Sequence, residues 1–335
     1  MQTKSNSKLV DPFGRKVTYL RLSVTDRCDL RCVYCMSEDM VFLPKKDLLT
    51  IEELYRVSSK LIDMGIKKIR VTGGEPLVRR NVISLFEMLS QHIGVELDEV
   101  TLTTNGTLLS RYAKALYENG VRRINVSLDT LDPERYKNIT RRGNINHVFE
   151  GLDAAQDTGL KIKINAVAMR GAFLNEVDDM IRFTHKRGMD LTLIEEMPMG
   201  ETGHDRFQTH ISLQSIRNDL SQRWTLIPDA HSSGGPARYV KVAETGGRLG
   251  FITPLSCDFC ASCNRIRISS KGELFPCMGQ TGMVELREAM RLSESDEQLM
   301  AKIYQAIEYK PKGHDFLIKE NKTCGLRRHM SHLGG

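Results

Sequence analysis

Between residues 65 and 194 the chain repeats one local form four times: a glycine, a short link, and a run in which polar and apolar residues alternate. The four copies are GIKKIRVT (65–72), GVRRINVS (120–127), GLKIKIN (159–165) and GMDLTLI (188–194). In each, a helix-ending glycine precedes a strand. A first strand is expected over residues 17–24 and another over 99–104. Thr50 and Glu53 form a capping box that opens a helix with Ile51, Leu54, Val57, Leu61 and Ile62 on one face. Further helices are expected near 78–92, 107–118, 145–157 and 174–187. Strand and helix then alternate six times, which requires parallel strands with right-handed crossovers, as a (β/α) barrel or an open doubly wound sheet.

The strand faces decide between these. Arg21 and Ser23, Arg70 and Thr72, Thr101 and Thr103, Asn125 and Ser127, and Lys163 and Asn165 take alternate positions with Leu, Ile or Val between them. A doubly wound sheet covers both faces with helices, so its strands read as continuous apolar runs. A fully packed barrel fills its interior with branched apolar side chains. The expectation is therefore an α/β fold built on an incomplete (β/α)6-type barrel with a wet bore, although solvated edge strands give the same alternation. Arg21, Arg70 and Lys163 in that bore suit a polyanion.

By this reading residues 1–16 are a lead-in, 17–197 the partial barrel, and 198–335 an extension that covers its open side. In the extension, 198–210 and 229–237 read as loops, 212–223 as a helical turn, 237–243 and 248–252 as strands, and about 283–308 as charged helices. The amino terminus is polar and no run of about eighteen apolar residues occurs, so a soluble, cytoplasmic protein with no membrane partner is expected. Eight cysteines without a secretion signal point to thiols that serve metals or catalysis. The net charge of +6 is mild and its basic residues are scattered, so no nucleic-acid partner is expected.

The cysteines fall in two groups. Cys28, Cys32 and Cys35 form CxxxCxxC directly after the first strand. Three thiols can hold an iron-sulfur cubane with one iron open; a zinc site, which normally takes four protein ligands, and chance clustering are the alternatives. The second group is Cys257, Cys260 and Cys263, followed by Cys277. Four thiols at that spacing could also saturate a zinc or a closed cluster. Arg265 and Arg267 follow on one face of a short strand, beside an anionic ligand or on a surface. The paired glycines of Thr72-Gly73-Gly74-Glu75-Pro76, at the end of the second strand, let backbone approach a ligand closely.

With CxxxCxxC after strand one and GGEP after strand two, the chain resembles the radical S-adenosylmethionine (SAM) enzymes. Over nearly its whole length it is similar to the GTP 3′,8-cyclase family, which opens molybdenum cofactor biosynthesis. The resemblance rests on RLSVTDRC (21–28), RVTGGEPLVRR (70–80), TTNG (103–106), INVSLD (124–129), FCASCNRIR (259–267), Cys277 and the terminal Gly334-Gly335. It implies a [4Fe-4S] cluster on Cys28, Cys32 and Cys35 that holds SAM and cleaves it to methionine and a 5′-deoxyadenosyl radical. The radical takes the 3′ hydrogen of GTP, and the ribose radical closes onto C8 of the guanine.

The resemblance also implies a second [4Fe-4S] cluster on Cys260, Cys263 and Cys277 facing the guanine. It places SAM contacts at Tyr34, Gly73, Gly74, Glu75, Ser127 and Met197. GTP contacts fall at Arg21, Arg70, Thr103, Lys163, Arg265 and Arg267, with Gly334 and Gly335 threaded into the site. No side chain acts as acid or base, and no Walker-type loop is present. The implied partners are a flavodoxin- or ferredoxin-type reductant and the next enzyme, cyclic pyranopterin monophosphate synthase, with the chain a monomer or homodimer. Cys257 departs from the three-thiol pattern, Thr192 stands where some members carry Arg, and Cys324 reads as a spare thiol. The competing readings are a radical SAM enzyme with an auxiliary cluster acting on peptide or RNA, and a non-enzymatic protein with two metal sites.

Overall fold

The computed structural model describes residues 9–255, 259–316, 326 and 328–334. Cys257, Cys324 and Gly335 lie outside them. Strands β1 (Tyr19–Ser23), β2 (Lys68–Thr72), β3 (Glu99–Thr104), β4 (Arg123–Ser127), β5 (Lys161–Ala168) and β6 (Asp190–Glu195) pair in parallel, each with the next. The crossovers carry α1 (Ile51–Asp63), α2 (Val82–Ser90), α3 (Leu109–Glu118), α4 (Pro133–Thr140), α5 (Ile145–Asp157) and α6 (Ala172–Lys186). Among the described residues, no helix is long and apolar enough to cross a membrane.

Local chemistry accounts for the helix starts. At α1, Thr50 Oγ1 accepts from the Glu53 N–H at 3.1 Å while Glu53 Oε2 accepts from the Thr50 N–H at 2.8 Å, the expected capping box. Helix α4 was not expected. Asp132 caps it by accepting from the Arg135 N–H at 2.7 Å, and Pro133 sits in its first turn. Its signal is weak because only Tyr136 and Thr140 are buried on it, too few for a periodic stripe. The apolar positions of the strands, such as Leu20, Leu22, Ile69, Val71, Leu102, Ile124 and Ile164, join the inner faces of the helices in one core. The polar strand positions are thereby turned to the opposite face.

After residue 198 come α7 (Arg206–Thr209), α8 (Leu213–Leu220), β7 (Leu226–Asp229), β8 (Arg238–Val242), β9 (Arg248–Ile252), β10 (Arg265–Ile268), β11 (Glu273–Phe275), β12 (Val284–Glu285), α9 (Arg287–Leu292), α10 (Glu297–Glu308) and α11 (Met330–Leu333). These strands join the same sheet, whose order is β12-β11-β10-β1-β2-β3-β4-β5-β6-β9-β8-β7. Strand β9 runs parallel to β6 and β10 parallel to β1, so the parallel set grows from six strands to eight. Antiparallel partners flank it, with β7 and β8 on one side and β11 and β12 on the other. The order has two ends, so the barrel is partial. Strands this short carry too little periodicity to reveal which edge they join.

Helices α3 and α5 meet where Gly151 faces Gly106. A Cβ on Gly151 would stand 2.5 Å from the Gly106 carbonyl oxygen and 3.0 Å from Leu109 Cβ, and backbone there has no room to yield. Gly151→Ala is expected to destabilise the metal-free protein by about 1–3 kcal/mol in urea unfolding. An unchanged midpoint would show that the two helices can separate freely.

Candidate active site

The inner face of the sheet lines one cavity. Its wall includes Tyr19 and Arg21 of β1, Arg70 and Thr72 of β2, Thr103 of β3, Asn125 and Ser127 of β4, Lys163 and Asn165 of β5, and Arg265 and Arg267 of β10. Parallel register sets Arg21 level with Arg70 on one side and with Arg267 on the other. Burial, then Arg267 and Arg70, push the Arg21 guanidinium well below its ordinary pKa. Burial, then Arg70, Arg123 and Lys68, do the same to Lys163. Arg267 falls to about 10, through burial and then Arg265. Cations gathered out of water against their own repulsion mark a polyanion site. Among the described residues, Arg70 Nε, Asn125 Oδ1 and Asn165 Oδ1 are buried there without a hydrogen-bond partner, as expected of groups that face a polar ligand.

The CxxxCxxC loop leaves β1 and is fastened on several sides. The Gly74 N–H donates to the Thr25 carbonyl and the Glu75 N–H to that of Arg27, both at 2.8 Å, while the N–H groups of Arg31 and Val33 donate to the carbonyls of Thr140 and Ile139, both at 2.9 Å. Arg206 Nη2 donates to the Tyr34 carbonyl at 3.1 Å. A Cβ on Gly74 would run into the Arg27 carbonyl and lie 2.7 Å from that of Asp26, so only glycine admits this approach. Cys28, Cys32 and Cys35 all line the cavity. Burial raises all three thiols, Cys35 to about 11, and for Cys28 the Glu75 carboxylate adds to the effect. Such thiols become thiolates by binding a metal centre.

Among the described residues, no three Cys, His, Asp or Glu side chains are gathered as for a single metal ion. A structural zinc takes four protein ligands, whereas three thiols line this part of the cavity. The three thiols and the side-chain-free cradle at Gly73 and Gly74 beside them fit a cubane with one iron left for a ligand.

Tyr34, Gly73, Gly74, Ser127 and Met197 line the same cavity. Tyr34 donates its hydroxyl to Asp129 Oδ2 at 2.7 Å, and Asp129 Oδ1 accepts from the Val167 N–H at 2.8 Å. Burial pushes the Asp129 carboxyl up to about 6. Glu75 does not line the cavity. Its carboxylate accepts from the N–H groups of Leu77 and Asn105 at 3.0 and 2.7 Å and from the Thr104 hydroxyl at 2.8 Å. Burial sets its pKa at about 7. Glu75 therefore ties the ends of β2 and β3 together.

Cys260, Cys263 and Cys277 face the cavity too. Burial raises the Cys263 thiol, but the charges of Arg265 and Lys310 outweigh it and leave the pKa lowered, while burial raises Cys277. Helix α11 brings Met330 and Ser331 to the cavity wall. Arg267 Nη1 donates to the Gly334 carbonyl at 2.5 Å. A Cβ on Gly334 would run into Thr72 Oγ1, so the tail fits against β2 only without a side chain.

Several residues of this site were not singled out from the sequence. Asp129 and Asn105 lie within the quoted INVSLD and TTNG stretches, but nothing set them apart there. Asn105 Nδ2 donates to Asp29 Oδ1 at 2.8 Å and reaches within 3.8 Å of Cys28 Sγ. Tyr239, whose hydroxyl accepts from Lys163 Nζ at 3.2 Å, Arg206 and Lys310 stand alone in unremarkable segments and carried no signal.

Comparison with known proteins places this geometry. A family model described as Radical SAM superfamily matches residues 22–184 and one described as Molybdenum Cofactor Synthesis C matches 189–316. The GTP 3′,8-cyclase of Rhizobium etli is 57% identical over 328 residues, 98% of this chain and 94% of that protein. That of Agrobacterium fabrum is 55% identical over 335 residues, 99% of this chain and 96% of its own. The chain belongs to the GTP 3′,8-cyclase family. As a member of this family of radical SAM enzymes it uses SAM and an iron-sulfur cluster.

Among solved structures, SuiB of Streptococcus suis bound to S-adenosylmethionine aligns with a TM-score of 0.55 at 18% identity, covering 80% of this chain. The chain spans 62% of SuiB's length. Native anSMEcpe with bound AdoMet aligns with a TM-score of 0.53 at 16% identity, covering 78% of this chain and 74% of that one. Both likenesses are of fold alone, the partial barrel of the radical SAM enzymes.

Gly74→Ala is expected to force the GGEP backbone away from the Arg27 carbonyl and to abolish SAM binding, measured by equilibrium dialysis. Retained affinity would show that the loops can part without harm. Asp129→Asn keeps the shape but weakens the acceptor for Tyr34, and SAM affinity is expected to fall by about 1–2 kcal/mol.

Proposed function

We infer that this chain converts GTP into (8S)-3′,8-cyclo-7,8-dihydroguanosine 5′-triphosphate, the first step of molybdenum cofactor biosynthesis. One observation carries the reading: two cysteine trios and five cationic side chains, Arg21, Arg70, Lys163, Arg265 and Arg267, converge on a single cavity. The chain is also 57% identical over 98% of its length to a protein named for that reaction.

In this reading Cys28, Cys32 and Cys35 hold the first cluster, and Tyr34, Gly73, Gly74, Ser127 and Met197 line the SAM site. Glu75 acts by holding the loops at that site in place. Cluster and SAM, when bound, supply the 5′-deoxyadenosyl radical that takes hydrogen from the substrate. Asp129 holds the Tyr34 side chain in place through its hydroxyl.

The cations neutralise the triphosphate and fix its pose, and Thr103 adds a hydroxyl beside Arg70 Nη1 at 3.5 Å. A bound polyanion relieves the repulsion among Arg21, Arg70 and Arg267, which favours its binding. Cys260, Cys263 and Cys277 are assigned a second cluster at the guanine end, where Arg265 and Arg267 follow directly in the chain. Met197, Met199, Phe259, Phe275 and Phe316 give the cavity apolar walls, which shield a radical from water and side reactions. Gly334, whose carbonyl accepts from Arg267 Nη1, and the terminal Gly335 are assigned to the substrate site in this reading. A one-electron reductant of flavodoxin or ferredoxin type and the next pathway enzyme, cyclic pyranopterin monophosphate synthase, are the partners this reading requires.

Anaerobic incubation of the reconstituted protein with GTP, SAM and a reductant is expected to yield 5′-deoxyadenosine and a cyclised nucleotide, and the absence of both from fully loaded protein would end the assignment. Reconstitution is expected to give about eight irons, two cubanes of four, and stoichiometric zinc in their place would be incompatible with it. Cys257→Ser is expected to retain all of that iron, since three thiols suffice. Arg21→Ala is expected to weaken GTP binding by about 2–5 kcal/mol, read by calorimetry under anaerobic conditions.

A further inference from the structure

Two basic side chains fasten the segments that carry Cys260, Cys263 and Cys277, and they differ in one respect. Arg15 Nη1 donates to the carbonyls of Cys260 and Lys312, both at 2.8 Å, and Nη2 to that of Pro311 at 2.6 Å. Its charge is answered by the buried Asp11, whose Oδ2 lies 2.5 Å from Nε. Lys310, just beyond α10, is 2% exposed. Its Nζ donates to the carbonyls of Arg265 at 2.9 Å and Pro276 at 2.6 Å, and lies 3.6 Å from Cys263 Sγ. Among the described residues none of its partners is a carboxylate.

Carbonyl oxygens satisfy the protons of an ammonium but not its charge, and a buried cation without a counter-ion is strongly unfavourable. Among the described residues, the groups left to balance it are the sulfur of Cys263 and that of Cys277, which follows Pro276 directly. Arg265 also approaches Cys263 Sγ, at 3.8 Å. However, Arg265 lines the cavity and its guanidinium lies over the Phe259 ring, where it is open to substrate. Lys310 is outside the cavity wall and its protons are committed to the protein.

We propose that Lys310 is the fixed counter-ion of the second cluster, a positioning residue whose ammonium balances the thiolates of Cys263 and Cys277 while its carbonyl bonds hold their segments together. The proposal rests on the reading that Cys260, Cys263 and Cys277 hold a cluster. A permanent cation beside the cluster favours its reduced, more negative state and so raises its reduction potential. A plain structural clamp would tie the same two carbonyls but would leave the potential alone.

The test compares wild type, Lys310→Met and Lys310→Arg as full-length, anaerobically reconstituted proteins, by iron content and by the midpoint potential of each cluster in a redox titration followed by EPR. A variant with Cys260→Ala, Cys263→Ala and Cys277→Ala gives the signal of the first cluster alone. Lys310→Met is expected to move the second cluster to a more negative potential and leave the first in place, and Lys310→Arg to restore it. Thermal unfolding supplies a second readout. Without metal, Lys310→Met is expected to be at least as stable as wild type, because it removes an unbalanced buried charge, whereas the loaded variant is less stable than loaded wild type. An unchanged second potential, or the same loss of stability with and without metal, would overturn the proposal. Wild type that takes up only about four irons would instead overturn the reading of the second trio, a result distinct from a silent Lys310 in protein carrying both clusters.

Discussion

The parallel register of β10, β1 and β2 is the constraint on which the site depends. It lays Arg267, Arg21 and Arg70 side by side at one level of the sheet, in a space where burial removes the solvent that would screen them. The ladders of the sheet and the apolar core behind it hold these like charges together. Nearby, Glu99 pairs with Lys68 at 2.7 Å and with Arg123, at the starts of the strands. Arg267 instead meets the carbonyls of Leu333 and Gly334, which offer dipoles but no charge. Like charges held side by side on the inner face suit a triphosphate.

Both cysteine segments owe their shape to groups that never face the cavity. Glu75 joins the ends of β2 and β3 beneath the first loop, and Arg206 joins that loop to the 199–200 segment through the carbonyls of Tyr34, Met199 and Gly200. Arg15 and Lys310 do the equivalent for the second trio. The three basic side chains donate to backbone oxygens and Glu75 accepts from two backbone N–H groups and the Thr104 hydroxyl, so the loops are held largely through the main chain. Lines of this kind are preorganisation, in which second contacts orient the ligand-bearing ones.

The partial barrel was legible because its signal is periodic: polar and apolar residues alternate in β1 to β5, and glycines mark the helix ends before β2, β4, β5 and β6. Both cysteine motifs and GGEP were legible because their spacing is local. What escaped were single residues whose partners lie far along the chain. Asp129 reaches Tyr34 across 95 positions and Lys310 reaches Cys263 across 47, and no local pattern marks either. Helix α4 escaped for want of a buried stripe, and strands β11 and β12 because three and two residues carry no period.

The sequence by itself determined the fold class, the inward polar face and the two sets of thiols, because each follows from residue types at fixed short spacings. Tertiary structure decided that β9 and β10 extend the parallel set to eight, that both trios share one cavity with the cations, and that Gly334 lies against Thr72. It also decided that the buried Glu75 carboxylate meets the N–H groups of Leu77 and Asn105 and so ties β2 to β3. Those outcomes depend on strand order and register between distant segments, and a one-dimensional pattern carries no information on which edge a strand will find.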